Sequence, residues 1–137
     1  MATFQIVYDV QLWPADSPST PLMAVLAYSV ADPHAVRLAF MKGRRETVAY
    51  TFGREVLAAG LWAPAGQGDV TVAPHEELAE YYLLITLRPE HGYPFEVYAR
   101  RELVADFVTQ IYRQVPRGDE RVDVDKCIAA IFAEVTP

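Results

Sequence analysis

The sequence predicts an α+β domain. We expect about seven antiparallel strands in two packed or bent sheets, with one short central helix and two C-terminal helices. Three observations carry this. Most of the first half, then Tyr81–Arg88 and Phe95–Arg100, read as strands, several with the two-residue alternation of a half-buried strand. Helical spacing of apolar residues enters only in a short central stretch and again after Arg101. Strands following one another, with helices gathered at the middle and end, favour an antiparallel sheet with helices on one side.

The elements follow in order. Phe4, Ile6, Tyr8, Val10 and Leu12 line one face of a first strand, and Thr3, Gln5, Asp9 and Gln11 line the other. Pro14 to Pro21 is too rich in Pro and Ser to be anything but a loop. Leu22 to Val30 is apolar on both faces, as in a strand covered on two sides. Asp32-Pro33 turns the chain into a third strand, His34 to Met41, and Lys42-Gly43-Arg44-Arg45 makes the next hairpin. Thr47 to Phe52 places Val48, Tyr50 and Phe52 on one face of a fourth strand.

Gly53 to Ala59 then reads as a helix of about two turns. Gly60 is expected to end it in a left-handed conformation, with Leu61 folding back onto Val56. Pro64-Ala65-Gly66-Gln67-Gly68-Asp69 is turn chemistry with positive φ at one glycine, and Val70 to Val72 returns to strand. Tyr81–Arg88 and Phe95–Arg100 flank the loop Pro89–Pro94. In the helix that follows, Leu103, Val104, Phe107, Val108, Ile111 and Tyr112 form one apolar stripe, broken at Pro116 and Gly118. A last helix opens at Asp123, which can cap it, and carries Val124, Cys127, Ile128, Ile131, Phe132 and Val135 on one face.

At 137 residues the chain reads as one domain, residues 1–137, large enough to bury a core without staples. Its longest apolar run is far short of a bilayer span, so no membrane insertion is expected. The N-terminus lacks the charged and apolar regions of a signal peptide. A single cysteine, Cys127, excludes an intrachain disulfide and fits a reducing cytoplasm. The net charge of −6 resides wholly in residues 69–137, because residues 1–68 carry five bases and five acids. That acidity argues against a general nucleic-acid binder.

Between Glu46 and Pro74 the sequence runs through Glu46-Thr47-Val48, Phe52, Arg54-Glu55-Val56-Leu57, Gly60-Leu61, Pro64-Ala65-Gly66-Gln67-Gly68-Asp69-Val70 and Val72-Ala73-Pro74. In these motifs it resembles the SsgA-like sporulation and cell-division proteins of actinobacteria. Ala31-Asp32-Pro33-His34-Ala35-Val36 with Phe40 fits upstream. Val115-Pro116-Arg117-Gly118 and Asp123-Val124-Asp125 fit downstream. The resemblance implies a Whirly-like fold and a homo-oligomer, a trimer among the states it allows. It implies a cytoplasmic, non-enzymatic adaptor at the division septum, whose partners are the tubulin-like division GTPase and other SsgA-like proteins. No cofactor is implied.

Catalytic and metal chemistry find little support in the residues themselves. His34, His75 and His91 fall in separate turns or strand ends without metal-ligand spacing. Glu76, Glu77 and Glu80 read as a solvated face rather than a tuned carboxylate pair. Cys127 lies in an apolar stripe, where a free thiol behaves as a small hydrophobe. Ser17, Ser19 and Ser29 have no nucleophile-elbow context. Gly66-Gln67-Gly68-Asp69 leads into a strand, not into a helix N-terminus that would hold phosphate.

Two surfaces remain. Trp13 and Trp62 each follow a leucine at the end of an element, where tryptophan serves either as an interface anchor or as a core rim. Lys42, Arg44 and Arg45, beside Phe40 and Tyr50, form the one basic and aromatic constellation. A hairpin of this kind beside a Whirly-like sheet could bind single-stranded nucleic acid, which is the alternative function. The simpler reading is a charged hairpin that blunts sheet-edge association. Its basic character departs from the pattern the resemblance implies.

Overall fold

The computed structural model describes residues 3–120. Its strands are β1 (Ile6–Pro14), β2 (Leu22–Tyr28), β3 (Ala35–Lys42), β4 (Arg45–Gly53), β5 (Val70–Pro74), β6 (Tyr82–Leu87) and β7 (Phe95–Arg100). Helix α1 (Arg54–Gly60) separates β4 from β5, and α2 (Arg101–Gln114) follows β7 directly. The third expected helix, with Asp123 and Cys127, lies outside the described residues.

All seven strands join one antiparallel sheet in the order β4-β3-β2-β1-β7-β6-β5, where two sheets were expected. The nine residues of β1 cause this. Ile6 to Leu12 pair with β2 while Leu12 to Pro14 pair with β7, so one strand bridges both halves. The sheet curls strongly. Phe40 of β3 and Phe95 of β7 are separated by two strands in the order, yet their ring centroids stand 6.5 Å apart. The unlike faces read from sequence are thus the inside and outside of one curled sheet.

The inner face meets the two helices. Leu12, Leu26, Leu38, Leu83, Ile85 and Val97 are buried there with Leu57 of α1 and Val104, Phe107 and Ile111 of α2. The stripe predicted for α2 is its buried face, with Leu103 and Tyr112 half-buried at the margins. Tyr8 adds an edge-on contact to Phe107 and a hydrogen bond from its hydroxyl to Asp106.

The end of α1 differs from expectation. Gly60 is not left-handed, and the cap residue Leu61 is itself right-handed helical at φ −65°. Glycine is required here by proximity, since a Cβ on Gly60 would stand 2.5 Å from the Val72 Cβ and 2.9 Å from the Val72 carbonyl oxygen. Positive φ falls instead at Gly66 (φ +104°), in the turn where one such glycine was predicted.

Arg54, the first residue of α1, is fully buried. Its guanidinium donates to the Val115 carbonyl at 2.7 Å and to Glu120 at 2.6 Å, and lies 4.0 Å from the centre of the Tyr112 ring. The Tyr28 hydroxyl sits 3.4 Å away and donates to the Pro33 carbonyl. The α1 start is thereby tied to the segment leaving α2.

Candidate functional site

Trp62 lies just past the end of α1 and is 78 % exposed. Gly60 packs closely on β5 at the end of the helix, and the Trp62 N–H closes the last turn onto the Ala59 carbonyl at 3.1 Å. The Arg101 guanidinium covers the indole at 4.5 Å from the ring centre, while Arg101 Nε donates to the Leu61 carbonyl at 3.3 Å. The cation restrains one face of an indole that is otherwise open to solvent.

Trp13 is half-buried near the end of β1, on the outer face of the sheet. It stands directly across from Tyr98 and meets Tyr82 edge-on at 6.2 Å. Arg100 reaches its ring at 5.8 Å. Arg100 and Arg101 are consecutive at the β7–α2 junction, so one dipeptide serves both tryptophans, one on each side. Tyr98 continues the aromatic surface to His75, whose ring lies 4.8 Å away.

Arg100, Arg101, Tyr82 and Tyr98 were not singled out from sequence. The pair Arg100-Arg101 at the boundary between strand and helix was the available signal, but only the fold shows that each arginine reaches a different tryptophan. Among the described residues neither arginine forms an ion pair with a carboxylate. Arg101 engages a backbone carbonyl through Nε, which leaves guanidinium N–H groups for a partner.

The basic hairpin lies elsewhere. Lys42 stands opposite Arg45 at the β3–β4 turn, and Lys42, Arg44 and Arg45 are all exposed. Phe40, expected beside them as a stacking platform, is buried with its ring against Tyr50 and Phe95. The hairpin therefore offers charge without that ring.

The other candidates stay apart. His34 and His91 are exposed in different turns, and His75 Nδ1 accepts the N–H groups of Glu77 and Leu78 at 3.1 and 3.0 Å. Glu76, Glu77 and Glu80 are exposed in that connection. Ser17 and Ser19 are exposed in the β1–β2 loop, and Ser29 Oγ accepts the Ala31 N–H at 3.2 Å. Among the described residues no group of three or more His, Cys, Asp or Glu side chains is placed to hold a metal ion. Among the same residues no helix is long and apolar enough to cross a membrane.

Two titrating groups carry structural information. The hydrogen bond from Arg54 holds the Glu120 carboxyl down at about 2. Burial, reinforced by a hydrogen bond to Glu55, pushes the Tyr112 hydroxyl up to about 12.

Residues 22–120 match the model of a family described as Streptomyces sporulation and cell division protein, SsgA. The chain is 36 % identical over 122 residues to the sporulation-specific cell division protein SsgB of Thermobifida fusca, covering 88 % of each. Against SsgB of Streptomyces coelicolor it is 38 % identical over 119 residues, covering 85 % of each. The solved structure of an SsgA-like sporulation-specific cell division protein from Thermobifida fusca superposes with a TM-score of 0.76 at 32 % identity, covering 94 % of this chain and 97 % of that one. A second solved structure, from work on SsgB mutations that correlate with longitudinal cell division during sporulation of Streptomyces coelicolor, gives a TM-score of 0.74 at 32 % identity, covering 88 % and 93 %.

Proposed function

The chain belongs to the SsgA family of sporulation and cell division proteins, and from that premise we propose that it is a non-enzymatic adaptor at the sporulation septum. In this reading it helps position or recruit the tubulin-like division GTPase, together with other SsgA-like proteins. The observation that carries the reading is Trp62, exposed at the end of α1 and held by Arg101. Tryptophan and arginine are the residue types most enriched among the few that dominate binding energy.

The mechanism is positional. Trp62 supplies an apolar anchor, and Arg101 beside it supplies donors for a carboxylate-bearing segment of the partner. One such patch binds weakly. A homo-oligomer, a trimer in the simplest case, presents several copies to a polymer of repeating subunits, and avidity then holds what a single copy would release.

Co-sedimentation with the purified ring-forming GTPase tests this. The wild-type protein is expected to pellet with the polymer, and Trp62→Ala to weaken binding about thirtyfold, as for a residue worth roughly 2 kcal/mol at an interface. Failure of the wild type to pellet at high protein concentration would sink direct recruitment. Full binding by the folded Trp62→Ala variant would move the contact to another surface.

A further inference from the structure

The curl of the sheet leaves an open groove on its inner side, away from the two tryptophans. Phe40, Val48 and Tyr50 form one wall, and Leu87 and Phe95 the other, enclosing about 490 Å³. Lys42 is the one charged residue of its lining. A β-bulge opens the wall. The register shifts between Phe40 and Met41, which leaves Thr47 without a partner residue, and its hydroxyl turns back to donate to the Phe40 carbonyl at 3.1 Å.

The groove is apolar but not closed. Val48 and Phe95 are 46 % and 37 % exposed, and Met23 beside them is 46 % exposed. Its volume lies within the roughly 300–1,000 Å³ of small-molecule sites, which are mostly apolar with a few placed polar groups. Here the one charged group of the lining is Lys42, and two further cations adjoin it on the hairpin. Arg45 faces Lys42 across the hairpin and Arg44 occupies its turn, and none of the three makes an ion pair among the described residues. The nearest carboxylate in sequence, Glu46, is engaged by Arg37.

We infer that this groove binds one single-chain anionic amphiphile, a long-chain carboxylate, with the alkyl chain between Val48 and Phe95 and the head on the Lys42–Arg45 hairpin. An apolar trough with an unneutralised cationic mouth is complementary to a ligand of that one design. A bilayer presents a flat surface that cannot enter a recess. A single-stranded nucleic acid stacks successive bases on exposed rings, and of the three rings lining the groove Phe40 is buried and Tyr50 half-buried, which leaves Phe95 alone open to solvent. A second copy seated here about a two-fold axis would bring two sets of three cations together, and a three-fold assembly joins unlike surfaces and so does not place this groove against itself.

The test uses the full-length protein and cis-parinaric acid, whose fluorescence rises in apolar sites. Saturable binding of one probe per chain is expected, displaced by saturated carboxylates. Each step of two carbons should tighten binding about tenfold until the groove is full. The alcohol of equal chain length should bind at least tenfold more weakly than the carboxylate. Val48→Asp should abolish binding, and Lys42→Ala/Arg44→Ala/Arg45→Ala should erase the preference for carboxylate over alcohol. These side chains are exposed, and circular dichroism checks that both variants remain folded.

Absence of probe binding would overturn the inference. So would binding with no dependence on chain length or head charge, which marks generic adsorption. Sedimentation of the protein with anionic vesicles, with no binding of free probe, would assign the cations to a membrane surface instead. Salt-sensitive binding of an oligonucleotide without probe binding would assign them to nucleic acid. A concentration-dependent dimer dissolved by Val48→Asp, again without probe binding, would assign the groove to a second copy.

Discussion

Replacing Arg54 by methionine is expected to be strongly destabilising. The guanidinium is fully buried, and three kinds of interaction converge on it. The bond to the Val115 carbonyl, at 2.7 Å, is charge-assisted and contributes about 1.5–3 kcal/mol. The contact over the Tyr112 ring, 4.0 Å from its centre, adds about 1–2 kcal/mol where water is excluded. The ion pair with Glu120 completes the set.

Methionine fills much of the volume but leaves the Val115 carbonyl and the Glu120 carboxylate without that donor. Glu120 keeps 13 % of its side chain in solvent and can rehydrate by a small rotation, so its loss weighs less than the other two. Arg54 Nε has no acceptor, which offsets part of the native gain. The net expectation is a loss of about 3–5 kcal/mol, the range for removing one partner of a buried pair.

Urea unfolding followed by circular dichroism measures it. With a slope near 2 kcal/mol/M, the midpoint should fall by about 2 M. Glu120→Gln should cost less, and the double variant little more than Arg54→Met alone, because the two share one interaction. A midpoint within about 0.5 M of wild type for Arg54→Met would refute the reasoning. It would mean that the apolar isostere replaces everything the guanidinium does, as some buried pairs allow.

Gly60→Ala should destabilise the protein by about 1–3 kcal/mol in thermal or urea unfolding, because the new Cβ overpacks against Val72. The roughly 1 kcal/mol helix preference of alanine over glycine opposes this and should lose; a stabilised variant would show that β5 moves freely. In acid the sign follows from Glu120, whose folded value of about 2 lies below its ordinary one of 4.5. Its contribution is full above the ordinary value and disappears as pH falls toward 2, so Glu120→Gln should flatten that part of an acid titration. Tyr112 runs the other way, with a folded value of about 12 against 10. Its contribution is present below pH 10 and is lost between 10 and 12, and Tyr112→Phe should remove that alkaline loss, read by fluorescence-monitored unfolding. Trp62→Ala should leave stability within about 0.5 kcal/mol of wild type in the same assays, since the ring is 78 % exposed.

What could be read from sequence divides along a physical line. Periodicity reports which side of an element is buried, and so the strands, the short helix and the stripe of Leu103, Phe107 and Ile111 were legible to within a few residues. Periodicity does not report what lies on the other side. Nothing local to Leu12 says that it pairs with both Leu22 and Ala99, which is the reason one sheet forms where two were expected. Gly60 shows the same limit in one residue. A glycine after a helix is most often a left-handed cap, and only the position of Val72, twelve residues on, shows that the missing Cβ is the point. Nothing beside Arg54 in the sequence marks it as buried, because the groups that receive its guanidinium, Val115 and Glu120, lie more than sixty residues away. The tryptophans were visible as isolated residues at element ends. Their joining through Arg100 and Arg101 required the β7–α2 junction to bring one arginine to each. The features that tie each tryptophan to its arginine are therefore non-local ones. A residue-level test of the proposed contact should accordingly begin with Arg101, whose loss frees the Trp62 indole without deleting it. Arg101→Gln should weaken partner binding even though a soluble quencher reaches the uncovered Trp62 indole at least as readily as in wild type, and undiminished binding by this variant would remove Arg101 from the contact.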